Sequence, residues 1–138
     1  VRYGLDEALK IYCHNISNSN KLVIQYDSWG EFTRYKNSFE LSVYRIVQEL
    51  IANIIKHSKA SKALVQMSLL DTILSIDIED NGIGFSNNND SKGMGLHTIQ
   101  SKVKAIDGRI ELVSGINKGA CAYLEFDISH MKVNQQHE

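Results

Sequence analysis

Between Phe39 and Ile55 the apolar residues Val43, Ile46, Val47, Leu50, Ile51, Ile54 and Ile55 recur every three or four positions. That is the period of an α-helix carrying one wide apolar stripe. Such a stripe cannot be left in water, so a second layer of similar breadth must cover it. Asn37 stands where it can cap this helix, with Glu40 three residues on to complete a capping box.

The covering layer is written in segments with a period of two. Leu22, Ile24 and Tyr26 share a face of a strand over Lys21 to Asp27. Ala63, Val65, Met67 and Leu69 share a face of the next, a tight connection follows at Asp71-Thr72, and Leu74, Ile76 and Ile78 share a face of a third. Arg109 to Ser114 and Ala120 to Ile128 form a hairpin about the turn Gly115 to Gly119. There Ala120, Ala122, Leu124, Phe126 and Ile128 lie on one side, opposite Cys121, Tyr123, Glu125 and Asp127. Two more helices complete the layer above. Leu5, Ala8, Leu9, Tyr12 and Ile16 mark the first, closed by the polar run Asn15 to Asn20; the other starts near Gly95-Leu96 and stops about Ile106, before Asp107-Gly108. The stretch Ser86 to Lys92 has nothing to bury and is expected to be mobile, and the polar tail 129–138 is expected to be disordered. The sum is one α+β domain over 1–128, a two-layer α/β sandwich with a mixed, mostly antiparallel sheet and three helices on one face.

Composition narrows the function. A net charge of -1 over 138 residues supplies no basic field for nucleic acid or for a membrane surface. No apolar run is long enough to span a bilayer or to act as a signal peptide. Cys13 and Cys121 have no zinc spacing and read as ordinary thiols. The chain starts on Val1 rather than Met, and we expect it to be a piece of a longer protein.

Three polar groups stand out against this frame. Glu49, Asn53 and His57 are spaced i, i+4, i+8 along one side of the strong helix, with Lys56 beside them. A solvated face accounts for most such patterns, but Asn is a poor mid-helix residue, and the face mixes hard oxygen donors for Mg²⁺ with donors for phosphate. The second group is Asp80-Asn81-Gly82-Ile83-Gly84-Phe85. Asp80 has the parity of Leu74, Ile76 and Ile78, so it points inward, where a carboxylate needs a hydrogen-bond donor such as an adenine amino group. Gly82 and Gly84 let a flat ring come close, although a polar turn leaving a strand explains the same residues. The third, Lys92-Gly93-Met94-Gly95-Leu96, opens a helix, where backbone N–H groups and the helix dipole attract an anion.

Taken in order, these pieces resemble the Bergerat-fold ATPase domains of sensor histidine kinases, gyrases, Hsp90 chaperones and MutL proteins. Glu49 to His57 is similar to that family's N box, Asp80 to Gly84 to its first glycine box, and Gly93 to Leu96 to its second; the likeness runs from Gly4 to Ile128. Val43 to Glu49, Lys56 to Ala60 and Gly95 to Val103 are closest to the nitrate-sensor and lipid-fluidity-sensor group of histidine kinases. The resemblance implies that Asp80 binds adenine and that Asn53 ligates Mg²⁺, with Glu49 assisting directly or through water. It assigns Lys56, His57, Lys92 and the amides about Gly93, Met94, Gly95 and Leu96 to the phosphates of ATP. It further implies a cytoplasmic domain, in a full-length protein free to be anchored in a membrane. Its partners would be a helical phosphoacceptor domain and a downstream response regulator. The sequence departs from the family at Ala120, where the motif closes on Thr, and in a lid with Lys92 but no arginine. His14, His57, His97, His130 and His137 lack the phosphoacceptor context, so the domain is expected to bind ATP without labelling itself. An anti-sigma-factor Ser/Thr kinase and a degenerate docking domain that has lost ATP are the alternatives.

Overall fold

The computed structural model describes residues 3–19, 22–83, 95–114 and 119–133. The expected mobile stretch Ser86 to Lys92, most of the 115–119 turn and the end of the tail lie outside the described residues. In chain order the elements are α1 (Leu5–Ser19), β1 (Val23–Trp29), α2 (Asn37–Asn53), a π turn (Ile54–Ser58), β2 (Lys62–Leu70), β3 (Ile73–Asp80), α3 (Leu96–Ala105), β4 (Arg109–Ser114) and β5 (Ala120–Asp127). The strands form one sheet ordered β1-β2-β3-β5-β4. β1 and β2 are parallel, because the chain between them crosses over through α2, and the other pairs are antiparallel. This is the α+β sandwich that the periodicity predicts. No helix among the described residues is long and apolar enough to cross a membrane.

Register puts the apolar parities in line. Val65 faces Ile78 and then Ala122, Met67 faces Ile76 and then Leu124, and Leu74 faces Phe126, all of them buried. Onto this face α2 lays Phe39, Val43, Ile46, Val47, Leu50 and Ile51, joined by Leu5, Leu9 and Cys13 of α1 and by Leu96, Ile99 and Val103 of α3. Each buried Leu, Ile or Phe contributes roughly 1.5–3 kcal/mol, so this one core carries the domain. Tyr35, Phe39 and Phe126 stack edge-to-face, at centroid separations of 5.9 and 5.6 Å. α1 is fastened to β1 by the Tyr26 hydroxyl donating to Asp6 (2.8 Å) and by the Ile24 N–H donating to Ser17 Oγ (2.9 Å). Cys13 and Cys121 are both free thiols, and burial pushes Cys13 up to about 12.

Three local expectations are corrected. The helix cap is Lys36, and the capping box between Asn37 and Glu40 gives way to a different device. Glu40 is fully buried and reaches further upstream: its Oε2 accepts from the Tyr35 N–H at 3.1 Å and from Arg34 Nε at 3.2 Å, and its Oε1 accepts from Arg34 Nη2 at 3.0 Å. Ile55, placed on the stripe by an α-helical count, is 39% exposed, because the wider π turn rotates it off the buried side. The tail is also tied down for its first residues. Lys132 bridges to Tyr35, the Val133 N–H donates to Arg34 O at 3.2 Å, and Met131 packs on the core, so hydrogen bonds and an apolar anchor replace the disorder expected from Ser129 to Val133.

Removing Glu40 would strand the buried Tyr35 N–H and leave Arg34 without its partner. Glu40→Ala is therefore expected to lower the free energy of unfolding by about 3 kcal/mol. Urea melts are the check, and a loss below about 1 kcal/mol would deny the carboxylate its structural role.

Candidate nucleotide site

β3 delivers Asp80 to the inner face at the end of the sheet, opposite Ala120 of β5. Both readings of this residue hold at once. Its Oδ1 accepts the Gly82 N–H at 2.8 Å, the turn expected of Asp-Asn-Gly, while the side chain lines a recess between the sheet and the helices. Burial raises the Asp80 pKa above the usual carboxylate value, and the Gly82 hydrogen bond only partly opposes this.

The walls of the recess are apolar: Leu50 and Ile54 from α2 and the π turn, Ile78 and Ala122 from the sheet, Leu96 from α3, and Leu112 from β4. Its polar lining side chains are Asp80, Asn53 and Ser58. Asn53 ends α2, and its Nδ2 is buried without a hydrogen-bond partner among the described residues. Ser58 closes the π turn with its Oγ donating to Ile54 O (2.7 Å) and accepting from the Ala60 N–H (3.2 Å). Its carbonyl accepts the Ile83 N–H at 2.7 Å, which pins the chain leaving β3 to the chain leaving α2.

That pin explains Gly82 differently from the sequence. A Cβ there would stand 2.2 Å from Ser58 O, so glycine is required for two backbones to touch. Asn81 adds a clamp that sequence reasoning missed. Its Oδ1 accepts from the Ser61 and Lys62 N–H groups at 2.9 and 3.0 Å, and its Nδ2 donates to Ser61 Oγ at 3.0 Å. The only sequence signal for this clamp was the turn-forming Asp-Asn-Gly itself.

Across the recess, α3 begins behind Gly95, whose φ of +68° suits glycine and whose absent Cβ would meet nothing within 4 Å. The Thr98 and Ile99 N–H groups bond back to Gly95 O, so the donors before them, on Leu96 and His97, point out of the helix end. Asn53, Asp80 and Leu96 thus converge on one recess. Lys56 and His57 are exposed on the π turn and do not line it, and neither does Glu49, which pairs with Lys102 of α3. Gly84, Lys92, Gly93 and Met94 lie outside the described residues.

The donor set suits a nucleotide with a hydrated divalent cation. An inward carboxylate wants a donor, and beside it, among the described residues, an amide nitrogen lacks a partner and a helix begins. Asn53 offers an amide oxygen in the recess, while the Glu49 carboxylate one turn earlier on α2 is paired with Lys102 behind it.

The chain belongs to the family of histidine kinase-, DNA gyrase B- and HSP90-like ATPases, whose model matches residues 39–130. It is 28% identical over 128 residues to the oxygen sensor histidine kinase NreB of Staphylococcus carnosus (strain TM300), covering 91% of this chain and 37% of that one. The chain therefore spans little more than a third of that curated relative. Among solved structures, the histidine kinase AdeS of Acinetobacter baumannii superposes with a TM-score of 0.69 at 20% identity, over 91% of this chain and 64% of that one. Full-length ShkA in complex with AMPPNP gives 0.73 at 16% identity, over 94% and 30%. Both share the fold.

Two consequences can be measured. A carboxyl whose pKa is raised on folding costs stability above that range, and the cost fades as pH falls and the group protonates. Asp80→Asn keeps an oxygen for the Gly82 N–H, so it should raise the Tm of the nucleotide-free domain at neutral pH, by an amount that shrinks on acidification. An unchanged or lower Tm at neutral pH would mean that Asp80 pays no desolvation cost. Gly82→Ala should cost about 2 kcal/mol or more in a urea melt, through the clash with Ser58 O; a neutral outcome would contradict the backbone contact.

Proposed function

We propose that this domain binds Mg-ATP in the recess and holds the γ-phosphate for attack by a histidine on a separate phosphoacceptor domain of a sensor kinase. The observation that carries the reading is Asp80: a carboxylate turned into an apolar recess that it shares with an amide lacking a partner among the described residues and with the start of a helix. Asp80 accepts a hydrogen bond from the adenine amino group, and the apolar walls from Leu50, Ile54, Ile78 and Ala122 cover the ring. The Asn53 carbonyl oxygen serves the cation, with Glu49 bound directly or through water. The Leu96 and Gly95 amides, with Gly93, Met94 and Lys92 before them, take the phosphates, and Lys56 and His57 approach from the π turn. Gly82 and Gly84 shape the adenine end. A bound cation supplies charge neutralisation for a transfer that depends mainly on positioning.

The names of the relatives favour histidine as acceptor over the Ser/Thr kinase alternative, and a response regulator is the expected downstream partner. AMPPNP in the ShkA complex supports ATP as the nucleotide. One feature favours the docking alternative: the Ala120 methyl opposite Asp80 supplies no hydroxyl to adenine.

ATP with Mg²⁺ at about a hundred times its Kd should stabilise the domain by ~2.7 kcal/mol and raise its Tm by several degrees. Asp80→Asn should abolish most of that rise, and an unshifted wild-type melt at millimolar ATP would sink the reading. Asn53→Ala should weaken binding about tenfold with Mg²⁺ present and little without it. Equal loss in both conditions would remove Asn53 from the cation.

A further inference from the structure

The Glu49 carboxylate is held by the Lys102 ammonium of α3. Asn53 lies one turn beyond Glu49, about 6 Å along α2, and Leu96 lies six residues before Lys102, about 9 Å along α3. The helices therefore meet at the recess through Asn53 and Leu96, and are bridged by Glu49 and Lys102 just behind it. Both paired side chains are well exposed, at 37% and 48%, so as a staple the bridge contributes little. Its chemistry suggests another use. A carboxylate is a hard-oxygen donor for which a divalent cation competes, and a lysine ammonium is a monovalent charge on a flexible stem that can swing away.

We infer that Lys102 is the resident counter-ion of Glu49, exchanged for the divalent cation when nucleotide binds, so that it sets the Mg²⁺ concentration the site requires. This rests on the proposed function above. In the metal-free domain Lys102 neutralises Glu49. When nucleotide and cation enter, Glu49 turns to the cation or its water, and the ammonium is released to solvent or towards phosphate. Lys102 is thus a positioning residue acting through Glu49, with a signature that a plain helix clamp lacks: it shifts the metal dependence and not nucleotide affinity as such.

The test is the affinity of the chain for a fluorescent N-methylanthraniloyl ADP, measured without metal and across a Mg²⁺ titration. Lys102→Met should leave metal-free affinity within about twofold and lower the half-saturating Mg²⁺ concentration roughly two- to fivefold, the range of an exposed ion pair. Lys102→Arg should retain the wild-type midpoint. Glu49→Gln should raise the midpoint, and in that background Lys102→Met should have no further effect, because the two residues act as one unit. An unchanged midpoint in Lys102→Met overturns the inference, as does an equal loss of metal-free and metal-bound affinity, which would make the bridge a clamp alone. If the wild-type chain binds no labelled nucleotide in either condition, the proposed function falls and takes the inference with it.

Discussion

The contact between Gly82 and Ser58 holds the site together, because it joins the two elements whose ends form it. α2 is fixed on the sheet by its apolar stripe, but its last residues could leave the sheet at many angles. The Ile83 N–H on Ser58 O removes that freedom, and the Asn81 clamp on Ser61 and Lys62 ties the same junction to the start of β2. With β2 and β3 in register from Ala63 opposite Asp80, the carboxylate and the Asn53 amide are both committed to one recess. The π turn matters for the same reason. One widened turn brings Ser58 to the buried side and leaves Lys56 and His57 exposed at the rim.

Most of this frame could be read from the residues because it depends on periodicity. The alternation through Leu74, Ile76 and Ile78 places Asp80 inward, and the structure agrees. Among the described residues the three helices and five strands fall where their apolar spacing puts them, most ends differing by a residue or two, while α1 runs on to Ser19 through the polar stretch expected to close it. What escaped depends on backbone geometry and on long-range hydrogen bonds, which have no period. Nothing local distinguishes a π turn from two more turns of α-helix, so Ile55 was assigned to the wrong side. Glu40 looked like a capping-box partner, because a count from Asn37 cannot foresee that the chain before the helix folds back, burying Tyr35 and laying the exposed Arg34 guanidinium on the carboxylate. The contacts of Met131 and Val133 escaped in the same way, since a short polar stretch gives no sign of the backbone edge waiting for it at Arg34 and Tyr35.

The site was legible in part. Asp80, Asn53 and Leu96 line one recess, and Gly82 owes its identity to a backbone contact. Glu49 stands behind the recess, paired with Lys102, to which the resemblance assigned no role. Family membership accounts for the fold and the order of the motifs. The Ala120 methyl is this chain's departure from the family pattern, and with the Glu49–Lys102 bridge it bears on how tightly and under what ionic conditions the chain would hold a nucleotide.

The central claim is that a nucleotide sits between Asp80, Asn53 and the start of α3. Amide ¹H–¹⁵N shifts recorded on adding ADP with Mg²⁺ address it directly. The account predicts changes concentrated at Asn53, Asp80 to Ile83, Leu96 to Thr98 and Ala120 to Ala122, with the outer sheet face around Gln25 and Glu125 unmoved. Shifts confined to that outer face, or none at saturating nucleotide, would contradict it.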